Sequence, residues 1–128
     1  SPETVTVSSL WFGANNVMTA QDSWISRMAS GQEEWPQVRY SEPVRVTELA
    51  LTAKAEFLGA LPALQGQDEE GNWHTVLPIN TPQLQTQADE NGLIDVILPV
   101  SVPQAYRAYR YHSQATTFVW IQALNLTF

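Results

Sequence analysis

The stretch "LPALQGQDEEGNWHTVLPI" (residues 61–79) sets three carboxylates in a row, Asp68, Glu69 and Glu70, ahead of Gly71-Asn72 and Trp73-His74. Such a run is either a metal or catalytic cluster or the tip of a hairpin. Strand-like segments, LPALQGQ and WHTVLPI, flank it, and Asp, Gly and Asn are the residues that tight connections use. The Asp-x-Asp-x-Asp-Gly spacing of a calcium loop is missing. The stretch reads as a hairpin whose acids are solvated.

Working outward, the chain continues in the same style. TVTVSSL (4–10) alternates, as does WPQVRY (35–40). EPVRVTELALTA (42–53) is apolar at Val44, Val46, Leu49 and Leu51, and this step from even to odd positions suggests a β-bulge or bend near Glu48. LIDVILPV (93–100) is nearly all apolar, the pattern of a strand covered on both faces. AYRAYRYHS (105–113) and TFVWIQALNLTF (117–128) complete the set, and Tyr106, Tyr109 and Tyr111 straddle both faces, so at least one should point outward. Residues 80–92 are the most loop-like. Pro36, Pro43, Pro62, Pro78, Pro82, Pro99 and Pro103 leave little room for helices. About eight short strands at turn-separated spacing read as an all-β sandwich or jelly roll.

Composition narrows the function. The 128 residues suit one domain, spanning 1–128, and 44% apolar content with five Trp, four Tyr and four Phe supplies a core. Net charge is −7, and Lys54 is the single lysine among six basic residues, so nucleic acid and anionic membrane surfaces are poor partners. The absence of cysteine removes disulfides and thiolate chemistry. No apolar run approaches the ~18 residues of a membrane span. The Ser-Pro opening carries no signal-peptide pattern and suggests a module cut from a larger protein.

Three segments in order resemble discoidin-like domains, also called coagulation factor 5/8 type C domains. EEWPQVRYSEPVRVTELALT is similar to their Trp-x-Gln-apolar signature followed by Pro. LQGQDEEGNWHTV resembles their acidic-Gly hairpin before a Trp, and YRAYRYHS with FVWIQALNLTF resembles their penultimate and closing strands. The resemblance implies an eight-stranded antiparallel jelly-roll β-sandwich of galactose-binding-like type. It further implies kinship with the family-32-like carbohydrate-binding modules appended to bacterial glycoside hydrolases and lyases. Extracellular, periplasmic or cell-surface localisation goes with that kinship. Family members often hold a structural calcium, but Thr19-Ala20 stand where an Asp-Gly pair is usual, and Ala123 stands where a Glu is usual. Asp22 is the remaining candidate ligand, and no cofactor is expected to be required.

The resemblance places a ligand site at one end of the sandwich, on segments 10–27, 53–60 and 111–118. Sugars need an aromatic platform and polar groups for hydroxyls. Trp11 and Trp24 are stacking candidates, with Asn15, Asn16 and Arg27 beside them. Lys54, Glu56 and Phe57 set a charged pair next to an aromatic, and His112, Ser113, Gln114 and Phe118 form the third group. Against these stand structural roles: Trp35, Trp73 and Trp120 fit core or rim positions, and His112 could cap a strand end.

A catalytic reading lacks its constellation. His74 and His112 sit in no nucleophile motif, and the thirteen acids cluster at turns. Two expectations remain. One is a carbohydrate-binding module that tethers a linked catalytic domain to polysaccharide. The other is a structural sandwich packed on such a domain without binding sugar itself.

Overall fold

A computed structural model describes the backbone of residues 4–7, 12–13, 24–25 and 33–34, and residues 36–114 and 119–128 in full. Four short segments, β1 (Thr4–Val7), β2 (Phe12–Gly13), β3 (Trp24–Ile25) and β4 (Glu33–Glu34), precede the longer strands. These are β5 (Pro36–Val44), β6 (Glu48–Lys54), β7 (Ala60–Gln67), β8 (Trp73–Pro78), β9 (Leu93–Pro99), β10 (Tyr106–Gln114) and β11 (Trp120–Thr127). Seven strands of six residues or more are thus described, not the eight expected. They form two antiparallel sheets, ordered β1-β5-β10-β7-β8 with β4 also on β10, and β2-β3-β11-β6-β9.

Sequence parity explains how the sheets face each other. In β5, Val38 and Tyr40 point inward, and in β6 Leu49, Leu51 and Ala53 do. The even-to-odd step between them is no bulge. Residues 45–47 leave the first sheet, and β6 enters the second. Changing sheets reverses which alternation faces the core, because successive side chains in a strand point to opposite faces. The core between the sheets contains Leu64, Tyr109 and Tyr111 from one side and Leu51, Ile94, Ile121 and Leu124 from the other.

Three further expectations are corrected. β9 is an edge strand, paired with β6 on one side, and Ile97 on it is 66% exposed. Its apolar run therefore does not mark coverage on both faces. All three tyrosines of β10 are buried. A register shift between Tyr106 and Ala108 against β5 breaks the alternation, and the Tyr106 ring lies where a Cβ on Gly66 would stand, edge-on to Tyr109. The supposed loop 80–92 opens with a short helix, α1 (Thr81–Gln85), whose first turn Asn80 caps through Gln83 N–H. Asn followed by Thr-Pro is a readable helix start.

The acidic stretch is a turn, as expected. Asp68 Oδ1 accepts from the N–H groups of Glu70 and Asn72, both at 2.9 Å, and Oδ2 meets His74 Nε2 at 2.6 Å. Gly71 takes φ +91°, a conformation costly to residues with a Cβ. The same device recurs at 89–93, where Asp89 accepts from Asn91 and Leu93 and Gly92 takes φ +79°. Two Asp-Glu-x-Gly runs thus build two identically wired turns.

Candidate functional site at the loop end of the sandwich

One end of the sandwich collects the β6–β7 connection, the end of β10, the start of β11 and α1. The β6–β7 connection is a single turn of 3-10 helix, Ala55–Phe57, followed by Leu58 and Gly59. Main-chain grips hold it: Ala55 N–H donates to Gly92 O at 2.8 Å, Gln85 Nε2 donates to Ala55 O at 3.4 Å, and the Tyr111 hydroxyl donates to Leu58 O at 2.7 Å. Complete burial pushes the Tyr111 phenol well above its ordinary range, so it stays a proton donor. Gly59 adopts φ +86°, and a Cβ there would collide with Ser113 Oγ. Ser113 is fully buried, with no hydrogen-bond partner for its hydroxyl among the described residues.

The next residues break the strand. Between the pairs His112↔Ala63 and Gln114↔Ala60, β7 carries one residue more than β10. This bulge turns Leu61 out of the sheet, at φ +49° and 91% exposed. A leucine in the left-handed region is an outlier that strain-tolerant, functional positions favour. The sequence reading missed it. Its available signal was Pro62 inside an otherwise strand-like run, which marks an edge or a bulge.

The expected site residues divide accordingly. Glu56, exposed, and Phe57, half-buried, sit on the gripped turn. Gln114, exposed, stands opposite Ala60 beside the bulge, and His112 lies between the core-facing Tyr111 and Ser113, on the outer face of the sheet. Lys54 is drawn elsewhere: its Nζ donates to Asn91 O at 2.6 Å and lies 5.4 Å from the centre of the Trp120 ring. Lys54 is thus engaged with the 89–93 turn and with the half-buried Trp120. The backbone of Trp24 pairs with Ile121, itself opposite Ala53, which sets β3 at this end; its side chain lies outside the described residues, as do Trp11, Arg27, Phe118, Trp35 and Asp22. Trp73 lies half-exposed on the outer face of its sheet with the Arg110 guanidinium 4.1 Å over its ring. Among the described residues no three His, Cys, Asp or Glu side chains gather in a way that could hold a metal ion.

The same end thus carries exposed Leu61 and half-buried Phe57 as apolar carbon, and exposed Gln114 and Glu56 as planar polar groups. Apolar surface of that kind can lie against the C–H face of a sugar ring while amide and carboxylate oxygens and N–H groups meet its hydroxyls.

An all-β sandwich of this topology has the discoidin-like fold of family-32 carbohydrate-binding modules. Solved structures carry the comparison. The lectin domain of lectinolysin, in complex with Lewis B antigen, superposes with a TM-score of 0.71 at 10% identity, covering 98% of this chain and 93% of that one. Chitosan-binding module 2 of a chitosanase/glucanase from Paenibacillus sp. IK-5, in complex with chitotriose, gives 0.70 at 11% identity over 97% and 95%. The Clostridium perfringens module CpGH89CBM32-5, in complex with GalNAc-β-1,3-galactose, gives 0.68 at 10% over 97% and 94%. No protein-family model and no curated protein matches the sequence.

Proposed function

We propose that the chain is a non-catalytic carbohydrate-binding module whose ligand seats at the loop end, on Leu61 and Phe57 with Glu56 and Gln114 as hydroxyl partners. One observation carries the reading: sugar-complexed modules share the fold over nearly the full length of this chain, and at its loop end this chain exposes a leucine with a left-handed backbone. The resemblance adds Trp11, Trp24, Arg27 and Phe118 as candidates by their segments; their side chains lie outside the described residues. The biological role that follows is tethering: a weak module raises the local concentration of a linked glycoside hydrolase or lyase on its polysaccharide outside the cell.

A structural calcium, for which Asp22 is the remaining candidate ligand, is not required by this scheme. The closing strand offers Ala123, without a side-chain oxygen, where the resemblance would require a carboxylate, and calcium needs about six to eight oxygen ligands.

Isothermal calorimetry against the Lewis b tetrasaccharide, chitotriose and GalNAc-β-1,3-galactose tests the reading, with a glycan array to widen the panel. Binding by the wild type, lost in Phe57→Ala or Leu61→Gly with Tm preserved, supports it. No binding to any glycan of the array overturns it and leaves the structural-sandwich reading, for which the exposed Ile97 on the flat outer face of β9 would be the first contact to examine.

A further inference from the structure

The opposite end of the sandwich holds an open cleft of about 830 Å³ between the 67–71 hairpin, β5 and the start of β10. That volume falls within the range of roughly 300–1,000 Å³ typical of small-ligand sites. Its polar lining consists chiefly of Arg39, Arg107, Gln67, Gln104, Glu69 and Glu70. Part of this lining is pre-organised. Arg39 Nη2 donates to Gln67 Oε1 at 2.9 Å, and Gln67 Nε2 donates onward to Gly71 O at 3.1 Å. The rest is unengaged: the side chains of Arg107, Glu69 and Glu70 make no hydrogen bond or ion pair with another described residue.

The charge balance selects the ligand. Asp68 is turned into the hairpin, bonded to two backbone N–H groups and to His74. Two guanidinium groups and two carboxylates are left facing the opening, so a ligand charged in either sense meets like charge. A neutral polyol does not. Hydroxyls donate to carboxylates, accept from guanidinium groups and do both with amides. Trp73 extends the same surface, because it pairs with Gln67 across β7 and β8 and shares its face.

We propose that this cleft is a second saccharide subsite, for a neutral oligosaccharide, built by the acidic hairpin and the arginines of β5 and β10. It is separate from the loop end, and a chain with both would engage two stretches of polysaccharide at once.

The test is a ¹⁵N–¹H correlation titration of the wild type, Arg107→Ala and a Glu69→Ala/Glu70→Ala double variant with the neutral GalNAc-β-1,3-galactose and Lewis b tetrasaccharide to millimolar concentration. All three altered residues are exposed, so folding should persist. Saturable shifts at the amides of Gln67, Glu69, Gly71, Gln104 and Arg107, weakened about tenfold in either variant, are expected. Shifts at Phe57, Leu58 and Gln114 should not change between variants. Shifts at the loop end alone would overturn the cleft proposal and leave the loop-end reading standing. Shifts at the cleft alone would uphold the proposal and sink the loop-end reading. Silence at both ends overturns both.

Discussion

Single side chains make the loop end, and their roles separate by substitution. Leu61 spends its left-handed backbone on exposure, with no core contact to lose. Leu61→Gly should therefore leave Tm unchanged or slightly raised, since the roughly 1–2 kcal/mol cost of that conformation for a residue with a Cβ is relieved. Sugar binding measured by calorimetry should weaken at least about tenfold. Tyr109 and Tyr111 offer a matched pair. Tyr109 donates to Val44 O, holding the β5–β6 link, and Tyr111 donates to Leu58 O, holding the β6–β7 turn. Tyr109→Phe and Tyr111→Phe should each cost about 1–3 kcal/mol in denaturant unfolding, because a carbonyl that is part-buried at Val44 and buried at Leu58 loses its donor. Loop-end affinity should fall in Tyr111→Phe and hold in Tyr109→Phe. Phe57, Glu56 and Gln114 were legible as candidates from their segments. Leu61 was not, because exposure of a leucine follows from a bulge, and a bulge depends on the register of a partner strand remote in sequence.

Turns and strands carry the next level. The Asp68 carboxyl is held below the usual carboxylate range, first by its hydrogen bond with His74 and then by the Asn72 N–H. A group whose folded pKa is lowered contributes stability that is present above its unfolded pKa and lost as pH falls through the folded value. The hairpin should thus tolerate mild acid and open below the ordinary Asp range, seen as faster amide exchange or proteolysis at residues 68–74. Asp68→Asn should open it at all pH values and flatten that dependence. Gly59→Ala should cost more than about 2 kcal/mol by denaturant unfolding, since the new Cβ meets both a left-handed backbone and Ser113 Oγ. Alternation in WPQVRY located β5, the strand-like runs 61–67 and 73–79 located β7 and β8, and the Asp-Glu-Glu-Gly run located its turn. The same pattern misjudged 93–100, because an apolar strand at a sheet edge and one buried on both faces look alike until the neighbours are counted. It also misplaced the tyrosines of β10, whose alternation a register shift interrupts.

For the whole molecule, the sandwich was readable from spacing, composition and scattered resemblance, while the crossing at 45–47 was visible as a parity change and read as a bulge or bend, not as a change of sheet. A change of sheet and a bulge leave the same trace in one dimension. Charge gives the last expectation. The chain carries −7 with six basic residues, and the proposed binding asks nothing of a metal. EDTA should therefore leave Tm and loop-end affinity where they were, and a fall in either would point to an ion held by the first loop.

The restraints on the β6–β7 turn grip main-chain atoms: the Ala55 amide and carbonyl and the Leu58 carbonyl. Such clamps do not depend on the exposed side chain at 56. The frame can thus keep its shape while that outward position varies, so under the proposed function its chemistry could be retuned through a single codon without disturbing the interior.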